Sequence, residues 1–191
     1  SDGGNPPEHL SIVAFTRMLA GPIDFTPGIF NIKFNEYKTE NQVNTTLAQQ
    51  LALYVVIYSP VQMAADLVEH YEANPKALQF IKDVGVDWTQ TKVLNGEVGD
   101  YVTIAREERE TGNWFLGSIT DENSRTFDVK LDFLEEGQSY KATIYKDAKD
   151  AHWNNNPTAL DIEELEVTSK SNILLKLVEG GGAAISLIKH E

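Results

Sequence analysis

Residues 5–30, NPPEHLSIVAFTRMLAGPIDFTPGIF, combine apolar character, helix-breaking residues and a few polar side chains in one short run. Ile12, Val13, Phe15, Met18 and Leu19 recur at helical spacing, which predicts a mostly buried helix over Leu10–Ala20 with Arg17 on its polar side. Gly21-Pro22 stops that helix. Ile23-Asp24-Phe25-Thr26 then alternates apolar with polar, closed by Pro27-Gly28, and reads as a short strand with a carboxylate near its end. Helix, stop and strand in this order are what one unit of a (β/α) barrel requires, with the end of the strand facing the active site.

Outward from this run, Asn31–Asn44 turns polar (Lys33, Asn35, Glu36, Lys38, Glu40) and reads as a solvated loop. Asn44 or Thr45 is placed to cap a helix whose residues Leu47, Ala48, Leu51, Leu53, Tyr54, Val55, Val56 and Ile57 are apolar on nearly every side, so that helix should be buried all round. Ser59-Pro60 supplies a cap and first-turn proline for a helix carrying Met63, Ala64, Leu67, Val68 and Tyr71 on one stripe. Asn74-Pro75 repeats the signal ahead of Leu78, Phe80, Ile81 and Val84, and Gly85 ends it.

After Gly85 the period changes. Eight short segments rich in Val, Ile, Thr and aromatic residues follow, near Trp88–Leu94, Tyr101–Glu107, Trp114–Ile119, Thr126–Phe133, Tyr140–Tyr145, Leu160–Val167, Ile173–Leu177 and Ala183–Ile188. Turn residues separate them, and this spacing indicates an antiparallel sandwich. The first segment and Phe127-Val129-Leu131-Phe133 alternate, as strands with one buried and one solvated face do. The boundary falls at about Gly85.

Twenty-nine acidic against sixteen basic residues give a formal charge of −13, which argues against nucleic acid or an anionic membrane as partner. The chain has no cysteine, hence no disulfide, thiol nucleophile or thiolate metal site. No apolar run approaches the roughly 18 to 20 residues of a membrane span. The opening Ser1-Asp2-Gly3-Gly4, without Met or a leader, reads as a cut end.

Glu8 and His9 follow Pro6-Pro7, which holds the backbone extended, and precede the first helix, an address open to a cleft. The plain structural alternative is a helix-start acid and a neighbouring cap. Asp24, between Ile23 and Phe25, is either a site carboxylate or the partner of a structural bond, with Arg17 as a candidate. The oxygen-rich stretch Asp147–Pro157 lacks the central glycine and closing glutamate of a calcium-binding EF-hand loop and reads as a turn. Trp88, Trp114 and Trp153 sit among β-type residues and read as core or interface rather than a sugar platform.

The runs NPPEH, AFTRMLAGPIDFTPGIF, NTTLAQQLALYVVIYSPVQMAADL, QFIKDVGVDWTQTKVLNGEVGDYVTIAR, NWFLGSITDENSRTFDVKLDFL, IYKDAKDAHWNNNPTALDI and GGGAAISL follow one another in collinear order over nearly the whole chain. Together they resemble the C-terminal part of glycoside hydrolase family 97, bacterial α-glucosidases and α-galactosidases. The resemblance implies an α+β chain: residues 1–85 as the last helix and strand elements of a catalytic (β/α)8 barrel, and 86–191 as a C-terminal antiparallel β-sandwich with a role in homo-oligomer formation. Cleavage needs two carboxyl groups, roughly 5 to 5.5 Å apart for retention and roughly 6.5 to 9.5 Å for inversion. By the resemblance, the family's catalytic carboxylates and its calcium ligands lie upstream, so no catalytic residue, metal or cofactor is expected within these residues. Glu8, His9 and Asp24 are left as rim residues of the substrate site. The implied partners are an oligosaccharide and the preceding part of the barrel, in a periplasmic or secreted bacterial protein. The alternative function is a non-catalytic carbohydrate-binding or protein-interaction module made of the sandwich alone.

Overall fold

A computed structural model describes residues 5–34 and 41–190. The loop expected through Asn35, Glu36, Lys38 and Glu40 and the opening Ser1–Gly4 lie outside the described residues. Elements run in the order α1 (Glu8–Phe15), a 3₁₀ turn (Arg17–Ala20), α2 (Leu47–Val56), α3 (Val68–Glu72), α4 (Pro75–Asp83), then eight strands. These are β1 (Trp88–Glu97), β2 (Tyr101–Glu108), β3 (Trp114–Thr120), β4 (Arg125–Lys130), β5 (Tyr140–Asp147), β6 (Leu160–Val167), β7 (Asn172–Leu177) and β8 (Gly182–Lys189). The molecule is mostly antiparallel sheet, and each of the eight predicted strand segments carries one strand.

Six strands form one sheet in the order β1-β2-β3-β8-β5-β6, and β4 pairs with β7 as a separate ribbon. Every pairing is antiparallel. Side-chain alternation sends the two faces of the large sheet into two cores. Phe115 and Ile119 of β3, Val102 and Ile104 of β2 and Tyr145 of β5 meet α2 and α4 on one side. Trp114, Leu116, Ala142, Ile144, Ile185 and Leu187 meet Val129, Ile173, Leu175 and Leu177 of the ribbon on the other. β3 is buried on both faces because it lies at the centre of three layers.

All ten residues of α2 are buried, as its apolar run predicts. The cap is Thr46, one residue past the expected pair, and its Oγ1 accepts from Gln49 N at 3.2 Å. Two sheet glycines let the helix approach: a Cβ on Gly117 would stand 2.5 Å from Ala52 O, and one on Gly182 would stand 2.7 Å from Gln49 Cα. Both helix ends are tied to the strands. Thr46 Oγ1 donates to Asp147 Oδ1 at 2.6 Å, while Val178 N and Gly182 N donate to Asp147 Oδ2 at 3.1 and 3.0 Å. Arg106 donates to Val55 O at 2.7 Å and Val56 O at 3.4 Å, and burial lowers its guanidinium to about 10.

Four expectations are corrected. Ile23–Thr26 is not a strand: a strand needs a ladder, and among the described residues this segment has one backbone tie, Ile23 N to Tyr58 O at 3.2 Å. The strand element assigned to a barrel unit is therefore absent here. The first helix begins at Glu8, ends at Phe15 and passes into the 3₁₀ turn; Ser11 is its one buried residue among those described, because α1 lies over the edge of the sheet by Gly96 and Gly99. Ser59-Pro60 starts no helix: the Ser59 hydroxyl donates to Val61 O and the Gln62 amide to Tyr54 O, holding the chain irregular until α3. In β1 both faces of Thr89–Val93 are exposed, since neither α2 nor the ribbon reaches that edge.

Gly117→Ala forces backbone against methyl at the helix–sheet contact and should cost about 1–3 kcal/mol; an unchanged chemical-denaturation midpoint would remove the contact from the fold's requirements. Asp147 carries a second expectation. Burial, opposed by its three hydrogen bonds, raises its carboxyl to about 7. A folded value above the unfolded one gives stability that is fully present below about pH 4 and lost as pH rises through about 7. Asp147→Asn, with its amide donating to Thr46, should flatten the fall in melting temperature between pH 5.5 and pH 8; an identical slope in both proteins contradicts this.

Candidate functional site

Residues 27–31 are held by side chains from α2, from α3 and from the irregular segment between them. Gln50 of α2 accepts from Gly28 N and Ile29 N, both at 3.2 Å, and donates to Thr45 Oγ1 at 2.9 Å. Gly28 sits at φ +88 with Tyr54 against its Cα, so only glycine fits. Tyr71 donates to Gly28 O at 2.7 Å. Asp66 accepts from Phe30 N, Asn31 N and Leu67 N at 2.7, 2.6 and 2.8 Å, and its Oδ1 lies 2.5 Å from His70 Nδ1. Burial alone would raise Asp66, but these hydrogen bonds outweigh it and hold the carboxyl below its usual range.

This fixed segment forms one wall of a cleft of about 560 Å³ between the start of α1 and α2. Phe25, Ile29, Phe34 and Leu53 line it with apolar surface, and Asn5, Asn41 and Gln42 line it with neutral amides. Apolar faces and amides without charge suit a neutral polyhydroxylated ligand. No carboxyl group lines the cleft among the described residues, so it offers binding and no acid–base pair.

Glu8 and His9 stand in the first turn of α1, His9 exposed, beside a cleft whose lining takes Pro6 and Leu10 from the same turn. Asp24 is exposed and lines a different hollow, with Ser59, Pro60 and Met63. The structure does not bring the three together in one cavity, and no ion pair joins Asp24 to Arg17 among the described residues. A further cavity of about 690 Å³ opens at the end of the sandwich between Lys146, His152 and Lys176. Asp147–Pro157 is a turn there, closed by the bridge between His152 and Asn156. No group of three or more His, Asp or Glu side chains suited to a metal forms among the described residues.

Sequence reading missed Gln50, Asp66 and Tyr71 as the clamp. The signal was present in Gln49-Gln50, two amides in an otherwise apolar helix that had to find buried partners.

The model of the family described as glycosyl-hydrolase 97 C-terminal, oligomerisation, matches residues 87–188. A retaining alpha-galactosidase of Bacteroides thetaiotaomicron is 32% identical over 180 residues, covering 92% of this chain and 26% of that protein. A glycoside hydrolase family 97 enzyme from Pseudoalteromonas sp. strain K8, solved in complex with panose and also with acarbose, is 54% identical with a TM-score of 0.94. That match covers 98% of this chain and 29% of the enzyme. A beta-arabinopyranosidase at 22% identity and a TM-score of 0.77 shares the fold, over 94% of this chain and 27% of its own. The chain thus spans about a quarter of the length of the relatives it matches.

Gln50→Ala leaves two backbone donors without their acceptor and should cost about 1–3 kcal/mol. Faster amide exchange at Gly28 and Ile29 would check it, and unchanged exchange would release Gln50 from this role. Asp66 has the opposite sign to Asp147: its lowered folded value gives stability present above about pH 4 and lost as pH falls through the folded value. Acidification below pH 4 should therefore free residues 28–31 more in the parent chain than in Asp66→Asn, read by the same exchange.

Proposed function

We propose, from the premise that this chain belongs to the glycosyl-hydrolase 97 C-terminal, oligomerisation family, that it is the C-terminal part of an enzyme cleaving terminal α-glucosidic bonds in oligosaccharides. In this reading residues 1–85 complete the catalytic barrel, and residues 86–191 form the sandwich that buttresses it and joins subunits. The carboxylates of catalysis and the calcium ligands come from the portion of the enzyme that this chain does not cover, and the cleft beside Glu8 and His9 contributes neutral contacts at the rim. Asp24 serves the rim from its own hollow. Its parent acts in the periplasm or outside the cell, an expectation that rests on resemblance.

The observation that carries this reading is an apolar surface on the N-terminal segment. Val61, Leu67 and Val68 are 67%, 58% and 65% exposed, with Met63 and Ile12 also exposed. Such a concentration, beside a chain that spans 29% of its relative, suits a face buried by the rest of an enzyme. Preference for glucosides is supported by 54% identity to the enzyme solved with panose, an α-linked glucose trisaccharide, against 32% to the relative named an alpha-galactosidase.

The 191-residue chain should release no p-nitrophenol from p-nitrophenyl α-glucoside or α-galactoside, while its parent enzyme hydrolyses the glucoside faster. Hydrolysis by the chain alone would falsify the assignment of the carboxylates elsewhere, and faster turnover of the galactoside would reverse the preference. Val68→Lys should leave the isolated chain within about 0.5 kcal/mol, as surface changes do, yet destabilise the parent enzyme; equal effects in both would remove the docking face.

A further inference from the structure

The wall of the cleft that carries Phe34 and Gln42 is fastened to the sandwich by side chains. Lys33 and Gln42 oppose each other in an antiparallel bridge, backed by Val43 N donating to Ile32 O at 3.0 Å. Directly opposed residues send their side chains to one face, and both of these reach the same turn of the sandwich. Lys33 Nζ donates to Asn155 O at 3.1 Å, and the Gln42 amide donates to Asn154 Oδ1 at 3.0 Å and to Trp153 O at 3.5 Å. The turn is itself closed. His152 and Asn156 bridge its ends, His152 Nδ1 accepts from Asn154 N at 3.1 Å, and the Asn156 amide donates to the Asp150 carboxylate at 3.1 Å. A Cβ on Gly180 would stand 2.8 Å from Trp153 Cβ, so the turn is seated on the connection from β7 to β8.

These contacts fix which end of the Gln42 amide is spent. A backbone carbonyl only accepts, so the Gln42 atom facing Trp153 O is the nitrogen, and Asn154 answers it with the oxygen of its own amide. Gln42 Oε1 meets no donor among the described residues, and Gln42 lines the cleft. Gln50 is the contrast: its oxygen is taken by Gly28 N and Ile29 N, and its nitrogen goes to Thr45. An uncharged acceptor beside the apolar surface of Phe25, Ile29 and Leu53 fits a ligand with hydroxyl donors and a C–H face, as a sugar ring has. No carboxyl group lines the cleft among the described residues, so a sugar unit bound here lies beyond the bond that two carboxyl groups must flank.

We propose, on the reading of this cleft as the rim of a sugar site, that Gln42 is a specificity residue whose Oε1 accepts a hydroxyl of a sugar unit on the leaving-group side of the scissile bond. Asn154, in the sandwich, is the positioning residue that turns the amide that way. The sandwich thereby acts on substrate choice through one side-chain hydrogen bond.

Panose carries sugar units on the leaving-group side, where p-nitrophenyl α-glucoside carries an aromatic ring. In the parent enzyme, Gln42→Ala should raise KM for panose about fivefold more than KM for p-nitrophenyl α-glucoside, the scale of one neutral hydrogen bond, with the loss falling on KM more than on kcat. Asn154 is exposed. Asn154→Ala should shift the same KM ratio in the same direction, and Asn154→Asp, which keeps an acceptor for the amide nitrogen, should restore it. An equal shift of KM for both substrates, or none, overturns the contact from Gln42. An Asn154→Asp variant that behaves as Asn154→Ala overturns the positioning role. Should the parent cleave no α-glucoside, the reading of the cleft falls, and titration of the 191-residue chain with panose decides the contact. Movement of the Gln42 side-chain amide resonances upholds it, and their stillness overturns it.

Discussion

A helix buried on every side must have its ends satisfied by something other than water, and α2 meets that condition through the strands around it. An α-helix leaves its first N–H groups and last C=O groups without intrahelical partners. Burying a leucine or valine stabilises by roughly 1.5–3 kcal/mol, while a buried unpaired backbone group costs about 1–3 kcal/mol. Unsatisfied ends would therefore offset much of what the apolar run gains. Here Leu53 O accepts from Ile57 N, Tyr54 O from Gln62, and Val55 O and Val56 O from Arg106. At the other end Leu47 N donates to Pro157 O at 2.7 Å and Gln49 N to Thr46. Both ends of the helix are thus closed by residues far along the chain, which fixes where the helix lies on the sheet.

That placement passes to the cleft through Gln50, whose amide reads the backbone of Gly28 and Ile29 from a position locked inside the same helix. Displacing the wall of the cleft means breaking bonds to a residue that is 4% exposed. The wall of the cleft is fixed through a helix seated on the β layers, even though none of the strands lines it.

What the sequence made legible follows from which signals are local. The eight strands are readable because β-type residues and turn residues alternate at short range, and α2 because its apolar residues leave no polar face. Ile23–Thr26 shows the opposite case: its alternation suits a strand, but a ladder depends on a neighbour that a local pattern does not specify. The Ser59-Pro60 signal fails because the Ser59 hydroxyl takes Val61 O, the Tyr54 hydroxyl takes Met63 O and Ala65 N donates to Pro27 O, occupying backbone that a helix would need. Asp147 and Asp66 are not legible as opposites, since an aspartate acquires its character only from the groups the fold brings around it.

Asp147, with its carboxyl raised to about 7, has the ionisation expected of a general acid, and burial in a cleft often marks one. Its surroundings argue otherwise. It is 6% exposed, one oxygen is taken by Thr46 and the other by Val178 N and Gly182 N. A proton donor must reach the leaving oxygen within hydrogen-bond distance, and a Cβ added at Gly181 would already run into this carboxylate. Asp66 is likewise occupied by three backbone N–H groups. These two carboxylates are thus committed to holding backbone, one at the start of α2 and one beside the cleft, and neither is placed to move a proton.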